Sequence, residues 1–425
     1  ACPPKDKGYQ CMTISLTEAS QFTNLTWFDR LCRKFALDFF SKLKFGDITV
    51  IEGNQRLRFG DEHATLKTVI TVVDPGFYKK LVMAGSVGGG EAYIMGWWRC
   101  DNLTVLVRIF ALNLETLDKL DSAITRLGRP LLKMMDWRNR NSKAQAKKNI
   151  AAHYDLGNDM YRLFLDDSMM YSSAVYPDAN TDLAKAQQHK LQLICEKLQL
   201  KSSDHLLEIG TGWGSMAIYA AQHFGCKVTT TTISQQQFDY AKARVEQLGL
   251  QDSITILFND YRDLSGQFDK LVSIEMIEAV GEDYLDTYFE KCANLLKPDG
   301  IMVLQAITIV DQRYQQYVRE VDFIKRYVFP GGCLPSVSRM TDAIGRKTDL
   351  VVRHLQDIGF DYARTLKDWC DNFMHARDKV HHLGYDDNFV RLWHFYLCYC
   401  EGGFLERATS AVHVVLSKPQ NRNVI

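Results

Sequence analysis

The sequence predicts an α/β chain: a Rossmann-like domain with a doubly wound parallel sheet over residues 149–425, after a smaller α+β domain and basic connector over residues 1–148. Three observations carry this. At Leu206 to Ala217 (LLEIGTGWGSMA) a strand-like apolar run gives way to alternating glycines at Gly210, Gly212 and Gly214. Around that turn, apolar runs of strand length alternate with amphipathic runs of helix length, the pattern of a parallel sheet covered on both faces. A chain of 425 residues with 46% hydrophobic content is also long enough for two ordinary cores.

In the first domain, Leu25 to Lys44 mixes Phe and Leu with Lys and Arg at helical spacing, which makes an amphipathic helix. Asp47 to Glu52 and His63 to Val73 are β-type, Asp74-Pro75-Gly76 is a turn, and Phe77 to Ala84 resumes a helix. The glycine run Gly85 to Glu91 lacks the G-K-[ST] ending of a phosphate loop and, ahead of Trp97 and Trp98, reads as a turn with packed aromatics. From Arg129 to Lys148 seven cations face one acid, Asp136, with Leu131, Leu132, Met134, Met135 and Trp137 between them. This connector suits an anionic membrane surface, or equally a solvated helix face.

The second domain alternates as a parallel sheet requires. Helix Leu183 to Leu198 precedes strand His205 to Ile209, helix Ser215 to His223, strand Lys227 to Thr232 and helix Gln235 to Leu248. Strands Ser253 to Phe258 and Lys270 to Met276, helix Tyr284 to Leu296 and strand Gly300 to Gln305 follow, and the tail from Arg319 adds helices and a closing strand pair. Ligands of such sheets sit at the carboxyl ends of the strands.

Charge and cysteine usage exclude several classes. Lys+Arg and Asp+Glu both total 51, and no N/D-P-P-Y/F signature occurs, so nothing points to nucleic acid. The eleven cysteines are scattered and odd in number, as expected of reduced thiols in a cytoplasmic protein. Cys398 and Cys400 are the nearest pair, with no second pair or suitably spaced histidine to complete a zinc site, so no metal is expected. No apolar run is long enough to span a bilayer and the polar opening Ala1 to Gln10 is not a signal peptide, so any membrane is met from one side.

The glycine spacing differs from the G-x-G-x-x-G of dinucleotide sites and, with Glu208 two residues before the first glycine, favours S-adenosylmethionine (SAM) over NAD. Another Rossmann-type ligand or a purely structural turn stays open. Gly210, Gly212 and Gly214 would lie under the methionine half. Thr232 and Gln237 offer polar groups to the ribose, and Asp260 and Tyr261 follow the third strand towards the adenine.

Further motifs make the pattern specific: His153 to Asp159 (HYDLGND), Met169 to Ala174 (MMYSSA), Ile233-Ser-Gln, Asp260 to Asp263 (DYRD), Glu275 to Gly281 (EMIEAVG) and Phe329 to Ser336 (FPGGCLPS). From about Asp74 to its end the chain resembles the cyclopropane fatty acid synthase and mycolic acid methyltransferase family, and EMIEAVG resembles the branch containing plant cyclopropane synthases. The resemblance implies transfer of the SAM methyl to a cis double bond of an unsaturated phospholipid acyl chain. The resulting carbocation would lose a proton to bound bicarbonate as the ring closes. It also implies SAM contacts at Tyr171 and Ser172, and a bicarbonate pocket of Ser173, Glu278, Gln305, Ile307 and Tyr396. The family usually has cysteine where Ser173 stands and histidine where Gln305 stands, and an amide cannot exchange a proton near neutral pH. Trp393, Phe395, Tyr396, Tyr399 and Phe329 are candidate walls for a cation that water or a thiol would trap. A homodimer held peripherally on the anionic inner face of the membrane is implied as well. Two alternatives remain: a relative that makes methyl-branched or methylene chains, and a non-catalytic lipid-binding protein.

Overall fold

A computed structural model describes residues 25–114 and 157–423. They fall in two compact units that divide between Arg126 and Leu127. The basic connector, the expected boundary at 148/149 and the first part of the HYDLGND motif lie outside the described residues.

The first unit is a mixed sheet with helices. Helix α1 (Trp27–Ser41) opens on a capping box between Thr26 and Asp29. Strands β1 (Asp47–Glu52), β2 (Gln55–Gly60), β3 (Lys67–Val72) and β4 (Trp98–Cys100) form a sheet of order β2-β1-β3-β4, and only the β1–β3 pair is parallel. Helix α2 (Gly76–Ile94) lies between β3 and β4, and α3 (Leu103–Leu112) closes the described part. The carboxylate of Glu52, buried at the end of β1, ties the elements together by accepting from Arg33 of α1 and from the Tyr78 hydroxyl of α2. Both β2 and β4 escape sequence reading, since β2 is a largely exposed edge and β4 is only three residues long.

One expectation is overturned here. Ser86 to Glu91 is helical, not a turn: after a kink at Ala84 and Gly85, where Gly85 takes φ of 54°, the helix runs on to Ile94. The kink turns the second half onto the first, so that a Cβ on Gly88 would lie 2.0 Å from the Lys80 carbonyl oxygen. Gly88 is therefore the point of close backbone approach, and the Trp98 indole donates to the Gly89 carbonyl at 2.9 Å.

The second unit is the Rossmann-like domain. Its helices are α4 (Leu183–Leu198), α5 (Ser215–Phe224), α6 (Gln235–Gln247), α7 (Leu285–Leu295), α8 (Val337–Lys347), α9 (Gly359–His375) and α10 (Asp387–Leu405), with several shorter turns. Its strands are β5 (His205–Ile209), β6 (Lys227–Thr231), β7 (Ile254–Leu257), β8 (Phe268–Ile274), β9 (Leu296–Ile309), β10 (Val351–Asp357) and β11 (Thr409–Ser417). They form a seven-stranded sheet of order β10-β11-β9-β8-β5-β6-β7, in which β11 alone runs against its neighbours. The parallel part matches the predicted class, and the closing pair is the expected strand pair from the tail. One core packs α7 and α8 on β8 and β9, while the other packs α4 and α5 on β5 and β6. The central strands are covered on both faces, which explains their unbroken apolar runs.

Replacing Gly88 by Ala should cost about 1–3 kcal/mol, because the new methyl group meets backbone that can move only with the helix. Hydrogen exchange on the full chain should then show lost protection across residues 76–94. Unchanged protection would mean that the two halves of α2 do not cross at Gly88.

Candidate active site

The glycine turn follows β5 at the carboxyl edge of the sheet. Gly210, Gly212 and Gly214 take φ of 102°, 50° and 91°, a region that side-chain-bearing residues avoid. The turn is moored by the Gly210 and Thr211 amides, which donate to the Thr231 carbonyl of β6 at 3.1 and 3.0 Å. Below it, the Thr230 hydroxyl donates to Glu208 at 2.6 Å and pairs with the Thr211 hydroxyl at 2.7 Å. Burial pushes the Glu208 carboxyl up to about 8. On Gly210 a Cβ would touch Met276 at 3.2 Å, whereas on Gly212 it would meet nothing within 4 Å, so the turn is open on that side. Bare backbone with free space beside it fits the methionine half of SAM.

Around the turn stand the other predicted cofactor residues. The Thr232 hydroxyl donates to the Gln237 side-chain oxygen at 3.0 Å and accepts from the Ser234 amide, so what Gln237 can offer a ribose hydroxyl is its NH2 group. Arg262 takes up the Asp260 carboxylate through its backbone and guanidinium N–H groups at 2.6–2.9 Å. The Tyr261 ring meets Tyr288 edge-on at 5.6 Å, and its buried hydroxyl has no partner among the described residues.

Next to Gly210, across Met276, lies a buried charge cluster. Ser173 donates its amide to Glu275 Oε1 at 2.9 Å, the Gln305 amide donates to the same oxygen at 2.7 Å, and the Tyr362 hydroxyl donates to Glu275 Oε2 at 2.7 Å. Ile307 donates its amide to Glu278 Oε1 at 2.6 Å, while Glu278 Oε2 is buried without a partner. Burial raises both carboxyls, and the neighbouring Glu275 adds to the shift on Glu278, which reaches about 8. Lys190, fully buried on α4, donates to the Ser172 hydroxyl at 2.8 Å and is pushed down to about 7 by desolvation. Behind the cluster, His413 of β11 contacts Gln305 Oε1 at 2.8 Å through Nε2 and Lys197 at 2.7 Å through Nδ1. An amide oxygen only accepts, so Nε2 carries the proton, and burial holds His413 neutral.

The aromatic residues divide into two groups. Tyr171 and Tyr396 share a hydroxyl–hydroxyl hydrogen bond of 2.9 Å, Phe329 stacks on Tyr171, and Trp369 and Trp393 extend this wall. Phe395 and Tyr399, also expected in the wall, instead pack on Phe323. Phe395 and Tyr399, four residues apart, share a side of α10 that is turned away from Trp393.

Four of the five residues expected to hold bicarbonate, Ser173, Glu278, Gln305 and Ile307, lie in the carboxylate cluster and the fifth, Tyr396, in the aromatic wall, yet four participants escape sequence reading. Glu275 stood inside a quoted motif, and the sequence gives no sign that it bends to φ of 48° just past β8. Lys190 falls among the apolar positions of α4, a signal that was present but unused. Tyr362 and His413 come from remote elements and have no local signature.

Comparison with known proteins agrees with this geometry. Residues 141–414 match the family described as mycolic acid cyclopropane synthetase. The cyclopropane-fatty-acyl-phospholipid synthase of Escherichia coli strain K12 is 38% identical over 82% of this chain and 87% of its own. The tuberculostearic acid methyltransferase UfaA1 of Mycobacterium tuberculosis is 38% identical over 75% of this chain and 76% of its own. Among solved structures, the mycolic acid cyclopropane synthase CmaA1 complexed with SAH and CTAB superposes with a TM-score of 0.61 at 27% identity, covering 64% of this chain and 98% of that one.

Two predictions arise from this site. A β-branched residue at the left-handed backbone of Gly212 costs about 1–2 kcal/mol, so Gly212→Val should weaken SAM binding about tenfold or more by calorimetry; undiminished affinity would detach SAM from this turn. The Glu278 carboxyl is raised from 4.5 to about 8, so its protonated form is favoured by the fold and its contribution to stability is lost as pH rises between those values. Urea unfolding of wild type against Glu278→Gln should therefore turn against wild type by up to about 1.4 kcal/mol per pH unit in that window. A pH-independent difference would contradict the buried, protonated state.

Proposed function

The chain belongs to the mycolic acid cyclopropane synthetase family of SAM-dependent methyltransferases, and we propose that it adds the SAM one-carbon unit to a cis double bond of an unsaturated phospholipid acyl chain, closing a cyclopropane ring. The observation that carries this is a water-poor carboxylate cluster walled by aromatic rings, one residue's width from the glycine turn. SAM held on that turn supplies the methyl group. The rings of Tyr171, Phe329 and Tyr396 face the developing cation with π electrons instead of nucleophiles, and the neighbouring Ser173 hydroxyl is occupied by the Ala174 carbonyl.

Proton removal is where this chain has its own arrangement. The amide donors expected to hold bicarbonate are already engaged, Ser173 and Gln305 by Glu275 and Ile307 by Glu278, while Tyr396 shares a hydroxyl pair with Tyr171. A further anion would meet two buried carboxylates, so these residues as arranged do not fit bicarbonate. The acceptor we assign is Glu278 in its ionised form, through its unpartnered Oε2, while Glu275 is fixed by three donors; because burial raises the Glu278 carboxyl to about 8, the competent form fills as pH rises towards that value. Two carboxylates this close titrate as a pair, one of them holding the proton.

A second reading is a methyl-branched or methylene product, favoured by the equal identity to the tuberculostearic acid methyltransferase. The lipid is reached, in this proposal, by docking from one side on an anionic bilayer. What supports docking is that Trp27, Leu31 and Phe35 lie exposed at four-residue intervals on α1, and that no described helix is long and apolar enough to cross a membrane.

The test is turnover on unsaturated phospholipid vesicles with bicarbonate removed and restored, with products resolved by mass and by ring-proton signals. Ring product without added bicarbonate, and a loss of about 100- to 10,000-fold in Glu278→Gln with SAM affinity retained, are expected. Dependence on bicarbonate would return the acceptor role to that anion. Methyl or methylene products would select the second reading, and SAM binding without turnover would leave a lipid-binding protein.

A further inference from the structure

Away from the carboxylate cluster, α9 and α10 bring together three side chains that no motif announces. Cys370 comes from α9, and His394 and Cys398 from one face of α10, four residues apart. Their ligand atoms all lie within 4.8 Å of one another, and the two sulfurs are 3.9 Å apart. A tetrahedral ion with metal–sulfur bonds of about 2.3 Å holds its sulfurs roughly 3.8 Å apart, so the thiols already stand at ligand spacing. A disulfide, at about 2.05 Å, would require them to close by nearly half. Both cysteines are buried and His394 is partly exposed, which gives an ion a way in.

We propose that Cys370, His394 and Cys398 bind a thiophilic divalent cation, zinc in the first instance, with water or Glu401, one turn beyond Cys398, in the fourth position. The expectation of no metal rested on neighbouring cysteine pairs; the pair that meets is 28 residues apart in sequence. Such an ion bridges the two helices that carry Tyr362 and Trp369 on one side and Trp393 and Tyr396 on the other, so its role is to fix the aromatic wall.

The full chain, purified under reducing conditions and stripped by chelator, is titrated with Zn2+ and with Co2+. About one ion per chain is expected, with sub-micromolar affinity, a thiolate-to-cobalt charge-transfer band, and a higher melting temperature in the loaded protein. Cys370→Ser and His394→Gln should lose the band while keeping their circular dichroism, and Cys195→Ala, altering a buried thiol elsewhere, should retain it. No charge-transfer band in the wild-type chain, a band that survives in Cys370→Ser, or a Cys370–Cys398 disulfide in the purified protein would each overturn the assignment.

Discussion

Burying charge is the constraint around which the catalytic unit is arranged. Glu275, Glu278 and Lys190 are withdrawn from water beneath the carboxyl edge of the sheet, where an unpaired charge would cost several kcal/mol. Each is therefore bound by donors or acceptors from a different part of the chain: Ser173 from the segment before α4, Tyr362 from α9, Gln305 and Ile307 from β9, and Ser172 opposite Lys190. The length of β9 follows from this. Its end must deliver a side-chain amide at 305 to one carboxylate and a backbone amide at 307 to the other. Alternation along a strand gives those two residues the same face, and the β11 pairing places His413 directly opposite Gln305.

Backbone geometry sets where the two halves of the site meet. Three left-handed glycines turn β5 away from the sheet, and Glu275, left-handed without being glycine, turns β8 away beside it. Such a residue costs on the order of 1–3 kcal/mol and persists only where its surroundings fix it, as the three hydrogen bonds to its carboxylate do here. Met276 fills the gap between the turns. In consequence the glycine turn and the buried carboxylates are neighbours through one side chain.

Gln305 illustrates how one buried amide is satisfied by the rest of the structure. Its NH2 donates to Glu275 and to the Ser173 carbonyl, and its oxygen is met by His413, which is in turn met by Lys197. The amide itself holds the carboxylate in place but cannot relay a proton.

Sequence alone determined the strand–helix alternation, the glycine turn and the helix starts after Asp182 and Ser234, because these depend on local periodicity, backbone freedom and capping within a few residues. Within the sequence, Ser173 and Glu278 stand in short motifs, whereas Gln305, Ile307 and Tyr396 are grouped with them only through the family resemblance. What it could not supply was the charge state and partnership of those groups. That Glu275 takes the Ser173 and Gln305 donors, that Phe395 and Tyr399 pack on Phe323, and that Cys370 meets Cys398 were decided only by the tertiary structure. Desolvation and hydrogen-bond geometry depend on which remote elements pack together, and no local window of sequence contains that information.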